Sequence, residues 1–186
     1  MGAGRELGVF VERDGVPAVR VERVVEADVA RVWRALTEPS ELAAWFPSPT
    51  VRLEPVAGGR IDFSGDPYAD PEAEAEAEAS SGMVLAYEEP RLLAYTWGED
   101  ELHFELSPGT RSEGPACVLA LTDVLETHES AARNAAGWDV CLDELVKLVE
   151  GGTPSGPHSE GATDWRTRYD AYVAAGTPSG APVPEV

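Results

Sequence analysis

The spacing of apolar residues changes along the chain, and each change marks the boundary of a predicted element. Val9 and Val11 alternate with polar residues, Asp14-Gly15 is a tight-turn signal, and residues 16–26 are rich in valine. Alternation with period two on both sides of such a turn is typical of a β-hairpin. The first two elements are therefore predicted to be antiparallel strands.

Two short helices are predicted after this hairpin. Asp28 is a favourable N-cap, and apolar residues recur at i, i+3, i+4 and i+7 from Val29 to Leu36, which is the spacing of a helix with one apolar face. A second helix is predicted from Glu38, with Pro39 at its first helical position. Its apolar face comprises Leu42, Trp45 and Phe46.

Residues 50–123 consist of short apolar segments separated by connectors that contain Gly, Pro or acidic residues. This pattern predicts an antiparallel meander. The predicted strands are 51–56, 60–64, 83–88, 91–97, 101–107 and 116–123. Period-two alternation sends one set of side chains to the inside of the sheet, namely Leu93, Tyr95, Trp97, Leu102, Phe104, Leu106, Cys117, Leu119, Leu121 and Asp123. Residues 66–81, which include alternating Glu and Ala, are predicted to be a solvated acidic loop insertion.

A long helix is predicted over about residues 129–150, ended by Gly151-Gly152. Its predicted apolar face comprises Ala131, Ala135, Trp138, Leu142, Leu145 and Val149. The N-terminal half of this face is made of small residues, with Gly137 next to Trp138. Small residues opposite a concave sheet predict space for a bound molecule.

The domain organisation follows from these elements. Residues 16–152 form one predicted domain, preceded by an N-terminal strand or extension at 1–15. Beyond it, residues 153–162 have the composition of a linker, 163–175 predict one further amphipathic helix, and 176–186 predict a flexible tail. The fold class is α+β: a curved antiparallel sheet of about six to seven strands wrapped around one long C-terminal helix, with two short helices after the first strand.

Four segments give the chain a family resemblance over about residues 16–152. They are Val32-Trp33-Arg34-Ala35-Leu36-Thr37-Glu38-Pro39, Gly58-Gly59-Arg60-Ile61, Pro90-Arg91-Leu92-Leu93-Ala94-Tyr95-Thr96-Trp97 and Gly137-Trp138. In this order they resemble the helix-grip superfamily of START-like (Bet v 1-like, SRPBCC) proteins, and within it the branch of the heat-shock-protein-90 ATPase activator homologues. The resemblance implies an apolar or amphipathic small molecule bound without a covalent bond between the sheet and the long helix.

The predicted cavity is lined by aromatic, apolar and small residues, and polar groups such as Asp123 or Tyr95 are expected to orient the ligand. No catalytic residue is predicted, and Asp123 is a weak candidate for one. The cavity residues are Trp33, Trp45, Phe46, Tyr95, Trp97, Phe104, Leu119, Leu121, Asp123, Ala131, Ala135 and Trp138. Each aromatic residue is equally compatible with simple core packing. Two other functions remain open: a cyclase or hydrolase acting on a hydrophobic substrate, and a co-chaperone-like interaction module with an exposed apolar patch around Trp165, Tyr169 and Tyr172.

The charge and composition of the chain limit the classes of molecule that it is expected to bind. The net charge of −20 disfavours nucleic acid and anionic membrane surfaces. No apolar run reaches the length of a membrane span, and Met1–Glu6 lacks the layout of a secretion signal, so we expect a cytoplasmic protein. Cys117 and Cys141 lie in apolar surroundings and predict buried thiols. We expect no cofactor and no metal, and a homodimer is possible.

Overall fold

The computed structural model describes residues 6–13, 15–65 and 81–183, and within these ranges it shows one eight-stranded antiparallel sheet. The strands are β1 (Val9–Arg13), β2 (Val16–Val25), β3 (Thr50–Leu53), β4 (Arg60–Ser64), β5 (Ser81–Glu88), β6 (Leu92–Trp97), β7 (Asp100–Pro108) and β8 (Cys117–Val124). Their order across the sheet is β1-β2-β8-β7-β6-β5-β4-β3. The chain therefore crosses from β2 through two helices to the far edge and returns strand by strand to β8.

Four α-helices complete the described fold: α1 (Val29–Thr37), α2 (Pro39–Trp45), α3 (Ala131–Val149) and α4 (Trp165–Ala174). Asp28 caps α1 by accepting a hydrogen bond from the backbone N–H of Arg31 at 2.7 Å, and Pro39 opens α2, as predicted. A single 3₁₀ turn, His128–Ser130, precedes α3. The predicted α+β helix-grip architecture is confirmed.

The sheet has eight strands rather than six or seven because the N-terminal strand, which the domain prediction places before residues 16–152, belongs to it. β1 pairs with β2 along its whole length, from Val9 opposite Arg20 to Arg13 opposite Val16. Residues 9–13 therefore form the edge of the same sheet. The predicted acidic insertion, apart from Ser81 at the start of β5, lies outside the described residues.

α3 is buried on nearly every side. Its predicted apolar face is buried, but so are Asp139, Asp143 and Glu144 on the other side of the helix. They are buried because α3 lies between the inner face of the sheet and the C-terminal segment. Within the described ranges, no helix is both long and apolar enough to cross a membrane.

A buried polar network joins β2, α3 and α4. The Arg23 guanidinium donates to Oδ1 of Asp139 at 2.6 Å and to Oδ1 of Asp143 at 3.3 Å. The Tyr172 hydroxyl donates to Oδ2 of Asp139 at 3.0 Å and accepts from the backbone N–H of Gly8 at 2.7 Å. Buried carboxylates are tolerated when such partners surround them, so this network holds the C-terminal helix against the domain.

The segments on both sides of α4, where a linker at 153–162 and a flexible tail at 176–186 are predicted, are also bound to α3 over the residues that the structure describes. The backbone N–H groups of Ser155 and Gly156 donate to Oε2 of Glu144. The carbonyl of Pro178 accepts from the backbone N–H of Ala132 at 2.9 Å. The first N–H groups of a helix have no partner within it, and this proline-rich segment supplies an acceptor for one of them.

Candidate functional site

Seven aromatic rings meet between the sheet and α3, and we call them the aromatic cluster. They are Trp45, Phe46, Phe63, Tyr95, Trp97, Phe104 and Trp138. Phe46 is central: its ring centroid lies 4.8 Å from that of Trp97, 5.4 Å from Trp45 and 5.8 Å from Trp138. The pairs with Trp97 and Trp45 are edge-to-face and the pair with Trp138 is tilted. Aromatic contacts at these separations are favourable, so the rings form one connected apolar cluster.

Local structure places these rings. α2 ends at Trp45, and Phe46 follows as its C-cap residue, so both side chains enter the core at the end of the helix. The Trp45 indole N–H donates to the carbonyl of Ala35 at 2.9 Å, which satisfies its buried polar atom. The strand residues of the cluster lie on one face by period-two alternation, and α3 contributes Trp138 from the opposite side.

Asp123 lies at one end of the aromatic cluster and is only 1% exposed. Its Oδ2 accepts hydrogen bonds from the indole N–H of Trp138 at 2.8 Å and from the side-chain amide of Asn134 at 3.1 Å. Burial, followed by the charge of Asp100, raises the pKa of Asp123 to about 7, although these two hydrogen bonds oppose the rise. The carboxyl group is therefore divided between its acid and its ionised form near neutral pH.

Asp100 brings a second carboxylate to the same end. The Asn134 amide also donates to Oδ2 of Asp100 at 2.8 Å, and the backbone N–H of Glu126 donates to its Oδ1 at 2.7 Å. Burial raises the pKa of Asp100 above its usual range. One amide thus connects two carboxyl groups.

The other oxygen of Asp123, Oδ1, is buried and has no hydrogen-bond partner among the described residues. A buried acceptor without a partner costs roughly 1–3 kcal/mol. Its neighbours in register on the adjacent strands, Val19 on β2 and Leu102 on β7, are apolar. A donor from a bound molecule would satisfy this oxygen.

The structure brings most of the predicted cavity residues together. Trp45, Phe46, Tyr95, Trp97, Phe104 and Trp138 belong to the aromatic cluster. Leu119 and Leu121 are fully buried in the same apolar core. Trp33 also belongs to that core, but its ring pairs edge-to-face with Tyr87 at 5.2 Å.

Ala131 and Ala135 are the exceptions. They pack in a second apolar cluster with Val19, Leu125 and Tyr172, apart from the aromatic cluster. At Gly137 a Cβ atom would lie 3.9 Å from the indole nitrogen of Trp165 on α4. The small residues of α3 therefore lie against the chain's own C-terminal helix, at the place where the sequence analysis predicts space for a bound molecule.

Three residues of this region are absent from the sequence-based site: Phe63, Asp100 and Asn134. Phe63 was identifiable, because it alternates with Ile61 on a predicted strand. Asn134 lies four residues before Trp138 and so on the same side of the helix. Nothing in the local pattern distinguishes Asp100 from the neighbouring acids Glu99 and Glu101.

The apolar patch expected for an interaction module is largely covered. Tyr172 is 1% exposed, and Trp165 and Tyr169, whose rings stack at 5.1 Å, pack against the second apolar cluster. The C-terminal helix thus turns its aromatic residues toward its own domain.

The described surface also has a groove of about 280 Å³, which lies apart from the aromatic cluster. In this groove Arg20 already pairs with Glu22 and Glu105. Among the described residues, no group of three or more His, Cys, Asp or Glu side chains is arranged to hold a metal ion.

The antiparallel sheet closed over α3, with an aromatic cluster between them, defines a protein of the helix-grip class. A family model described as Activator of Hsp90 ATPase homolog 1-like protein matches residues 26–150, and the chain belongs to this family. A search of curated proteins found no match.

Solved structures of bacterial proteins share the fold. EF2215 of Enterococcus faecalis, described as a conserved protein of unknown function, superposes with a TM-score of 0.68 at 21% identity over 91% of this chain and 90% of its own. CalU16 of Micromonospora echinospora gives a TM-score of 0.66 at 21% identity over 94% and 97% of the two chains. The protein encoded by BPP1335 of Bordetella parapertussis gives 0.61 at 22% identity over the whole of both chains. At such identities the likeness extends to the fold alone.

Proposed function

We propose that this protein binds an apolar or amphipathic small molecule, without a covalent bond, between the sheet and α3. The aromatic cluster is the apolar wall of the site, and Asp123 is its polar anchor. The observation that carries the proposal is the buried Oδ1 of Asp123, which has no hydrogen-bond partner among the described residues, on a side chain whose other oxygen is bound to Trp138 of the aromatic cluster. A binding site of this kind combines much apolar surface with a few oriented polar groups.

The approach to the site is on the side of Trp97 and Asn134. Both residues are half-buried, whereas Phe46 and Asp123 are almost fully buried. A ligand that enters here contacts the edge of the aromatic cluster before it reaches Asp123. Its affinity comes mainly from apolar surface removed from water, at about 25 cal/mol per Å² before the costs of association.

The test uses the full chain purified from its own host. Native mass spectrometry is expected to show a co-purified mass that is released on denaturation. In parallel, at least one of two probes, 4-phenylbutanol and 4-phenylbutylamine, is expected to raise the Tm at millimolar concentration, because a ligand that binds only the folded state stabilises it. The absence of both a co-purified mass and a Tm shift would overturn the proposal.

A matched pair of tryptophan variants locates the binding. Trp97→Ala removes a half-buried ring that touches Phe46, and it is expected to abolish the Tm shift. Trp165→Ala removes a half-buried ring of α4 that stacks on Tyr169, and it is expected to leave the shift intact. An equal shift in both variants would place the probe elsewhere.

A second candidate is an enzyme of the cyclase or hydrolase type acting on a hydrophobic substrate. The observation in its favour is that the pKa of Asp123 lies at about 7, where a carboxyl group can both give and take a proton at neutral pH. If the protein is such an enzyme, Asp123→Asn is expected to abolish any turnover found for the ligand. Turnover that persists in this variant would exclude Asp123 as the acid or base.

A further inference from the structure

Building on the proposed function, we propose that the ligand carries a protonated amine on its apolar body, and that this amine donates a hydrogen bond to Oδ1 of Asp123. The proposal begins with the hydrogen-bond inventory of the site. Asn134 has two amide N–H groups, which serve Oδ2 of Asp123 and Oδ2 of Asp100. The indole N–H of Trp138 serves Oδ2 of Asp123 as well. Every donor that the described residues offer to Asp123 is therefore directed to one oxygen.

The charges around the site favour a cation. Asp100 and Asp123 share one amide, and among the described residues neither of them forms an ion pair. The charge of Arg133 opposes the rise that burial causes in the pKa of both carboxyl groups, but its guanidinium donates to Oδ1 of Asn134 at 3.1 Å and to the carbonyl of Pro182 at 3.3 Å. An anionic ligand would meet two carboxyl groups without a paired counter-charge, so it is disfavoured.

The rings beside Asp123 distinguish an amine from a neutral hydroxyl group. Phe46, Trp97 and Trp138 are in mutual contact, with centroid separations of 4.8–6.2 Å. Aromatic faces attract cations, by an amount that grows when the cation is removed from water. Trp138 belongs to both parts of the site, since its ring contacts Phe46 and Trp97 and its N–H binds Asp123. A hydroxyl group could satisfy Oδ1, but it would gain nothing from the ring faces or from Asp100.

The experiment compares three probes that differ only in the head group: 4-phenylbutylamine, 4-phenylbutanol and 4-phenylbutyrate. Isothermal titration calorimetry on the full chain at pH 8 is expected to give at least tenfold tighter binding for the amine than for the alcohol, and the weakest binding for the carboxylate. Equal or tighter binding of the alcohol would overturn the amine proposal and leave the proposed function standing. Binding of none of the three would overturn the amine proposal, and it would overturn the proposed function as well when no mass co-purifies with the protein.

Two variants test whether the preference for the amine over the alcohol depends on Asp123. Asp123→Asn keeps the shape of the side chain and removes the charge. Because Trp138 and Asn134 both donate to the Oδ2 position, the one oxygen of asparagine is expected there and its NH₂ group at the Oδ1 position. This variant is expected to reduce the amine-to-alcohol affinity ratio to less than threefold. Asp170→Asn, which changes an exposed carboxylate on α4, is expected to leave the ratio unchanged. A ratio that stays above tenfold in Asp123→Asn would overturn the assignment to Asp123.

Proton release provides a readout that does not depend on affinity. At pH 6 the carboxyl group of Asp123 is mostly protonated, since its pKa is about 7. An ammonium group bound to Oδ1 favours the carboxylate, and the displaced proton passes to the buffer. Titrations in buffers of different ionisation enthalpy are expected to show close to one proton released at pH 6 and almost none at pH 8.5. The alcohol is expected to release none at either pH, and equal release by both probes would contradict the proposal.

Discussion

The indole N–H of Trp138 lies 2.8 Å from Oδ2 of Asp123, which ties the middle of α3 to the end of β8. The contact is buried on both sides. It places a group that titrates near neutral pH at the edge of the aromatic cluster, so stability and ligand binding are both expected to depend on the ionisation of Asp123.

Asp123→Asn is expected to remove a pH-dependent loss of stability. The folded protein raises the pKa of this carboxyl group from 3.8 to about 7, so the folded state holds the proton more tightly than the unfolded state. The resulting stabilisation is fully present below pH 4 and is lost as the pH rises through 7. At 1.36 kcal/mol per unit, the total is about 4 kcal/mol, of which about 3 kcal/mol falls between pH 5 and pH 8.5.

Urea unfolding at these two pH values tests this prediction. Between pH 5 and pH 8.5 the wild type is expected to lose about 3 kcal/mol more than Asp123→Asn. The control, Asp170→Asn, is expected to follow the wild type. Parallel pH profiles for the wild type and Asp123→Asn would show that this carboxyl group titrates alike in the folded and unfolded states.

Trp138→Phe is expected to raise the pKa of Asp123 above its wild-type value of about 7. The indole N–H stabilises the ionised carboxylate, and phenylalanine keeps an aromatic ring but removes this donor. Titration of the side-chain carboxyl carbon by ¹³C NMR measures the change. Trp165→Phe is the control, and an unchanged pKa in Trp138→Phe would mean that the hydrogen bond does not form in solution.

Arg23→Met is expected to destabilise the protein by about 3–5 kcal/mol, because it leaves the buried carboxylates of Asp139 and Asp143 without their closest cation. Arg20→Met, on the same strand, breaks pairs with Glu22 and Glu105 that are largely exposed, and such pairs are worth about 0–1 kcal/mol. Urea unfolding of the two variants measures the contrast. Similar losses in both would mean that the buried network contributes little to holding β2 against α3.

Gly137→Ala and Gly82→Ala are expected to change stability in opposite directions. A Cβ at Gly137 meets its nearest neighbour at 3.9 Å, so alanine is expected to gain up to about 1 kcal/mol in helix propensity. A Cβ at Gly82 would lie 2.3 Å from the carbonyl oxygen of Thr96, and overpacking of this kind costs about 1–3 kcal/mol or more. The Tm of each variant, measured by thermal unfolding, tests these opposite expectations. If Gly137 faces α4, Gly137→Ala should also leave the affinity for 4-phenylbutylamine unchanged.

The buried positions that could be predicted from the sequence are those that follow from a local period. Tyr95, Trp97 and Phe104 alternate along strands, and Trp138 lies on the apolar face of a helix, so the contacts among strands and α3 could be anticipated. Asp123 was identified because it shares the phase of Leu119 and Leu121. Its hydrogen bonds could not be identified in the same way, since Asn134 and Asp100 come from two other elements.

The alanines of α3 show why the sequence could not predict what packs against this helix. Small residues on a helix indicate only that something comes close, and Ala131 and Ala135 carry no information about whether a ligand or another part of the chain approaches. The structure places Tyr172 and Val19 there. The burial of Asp139 and Glu144 could not be predicted either, because charged residues opposite the apolar face of a helix are usually solvated.

Local patterns in the chain were enough to predict the order of strands and helices, the inward face of each strand and the family, because period, turn residues and short motifs are properties of neighbouring positions. The folded arrangement was needed to show what covers α3, which oxygen of Asp123 has no partner among the described residues, and that Asp100 binds the same amide. Burial and hydrogen bonding are properties of residues that are distant in the chain, and they exist only once the C-terminal segment has folded back onto the domain.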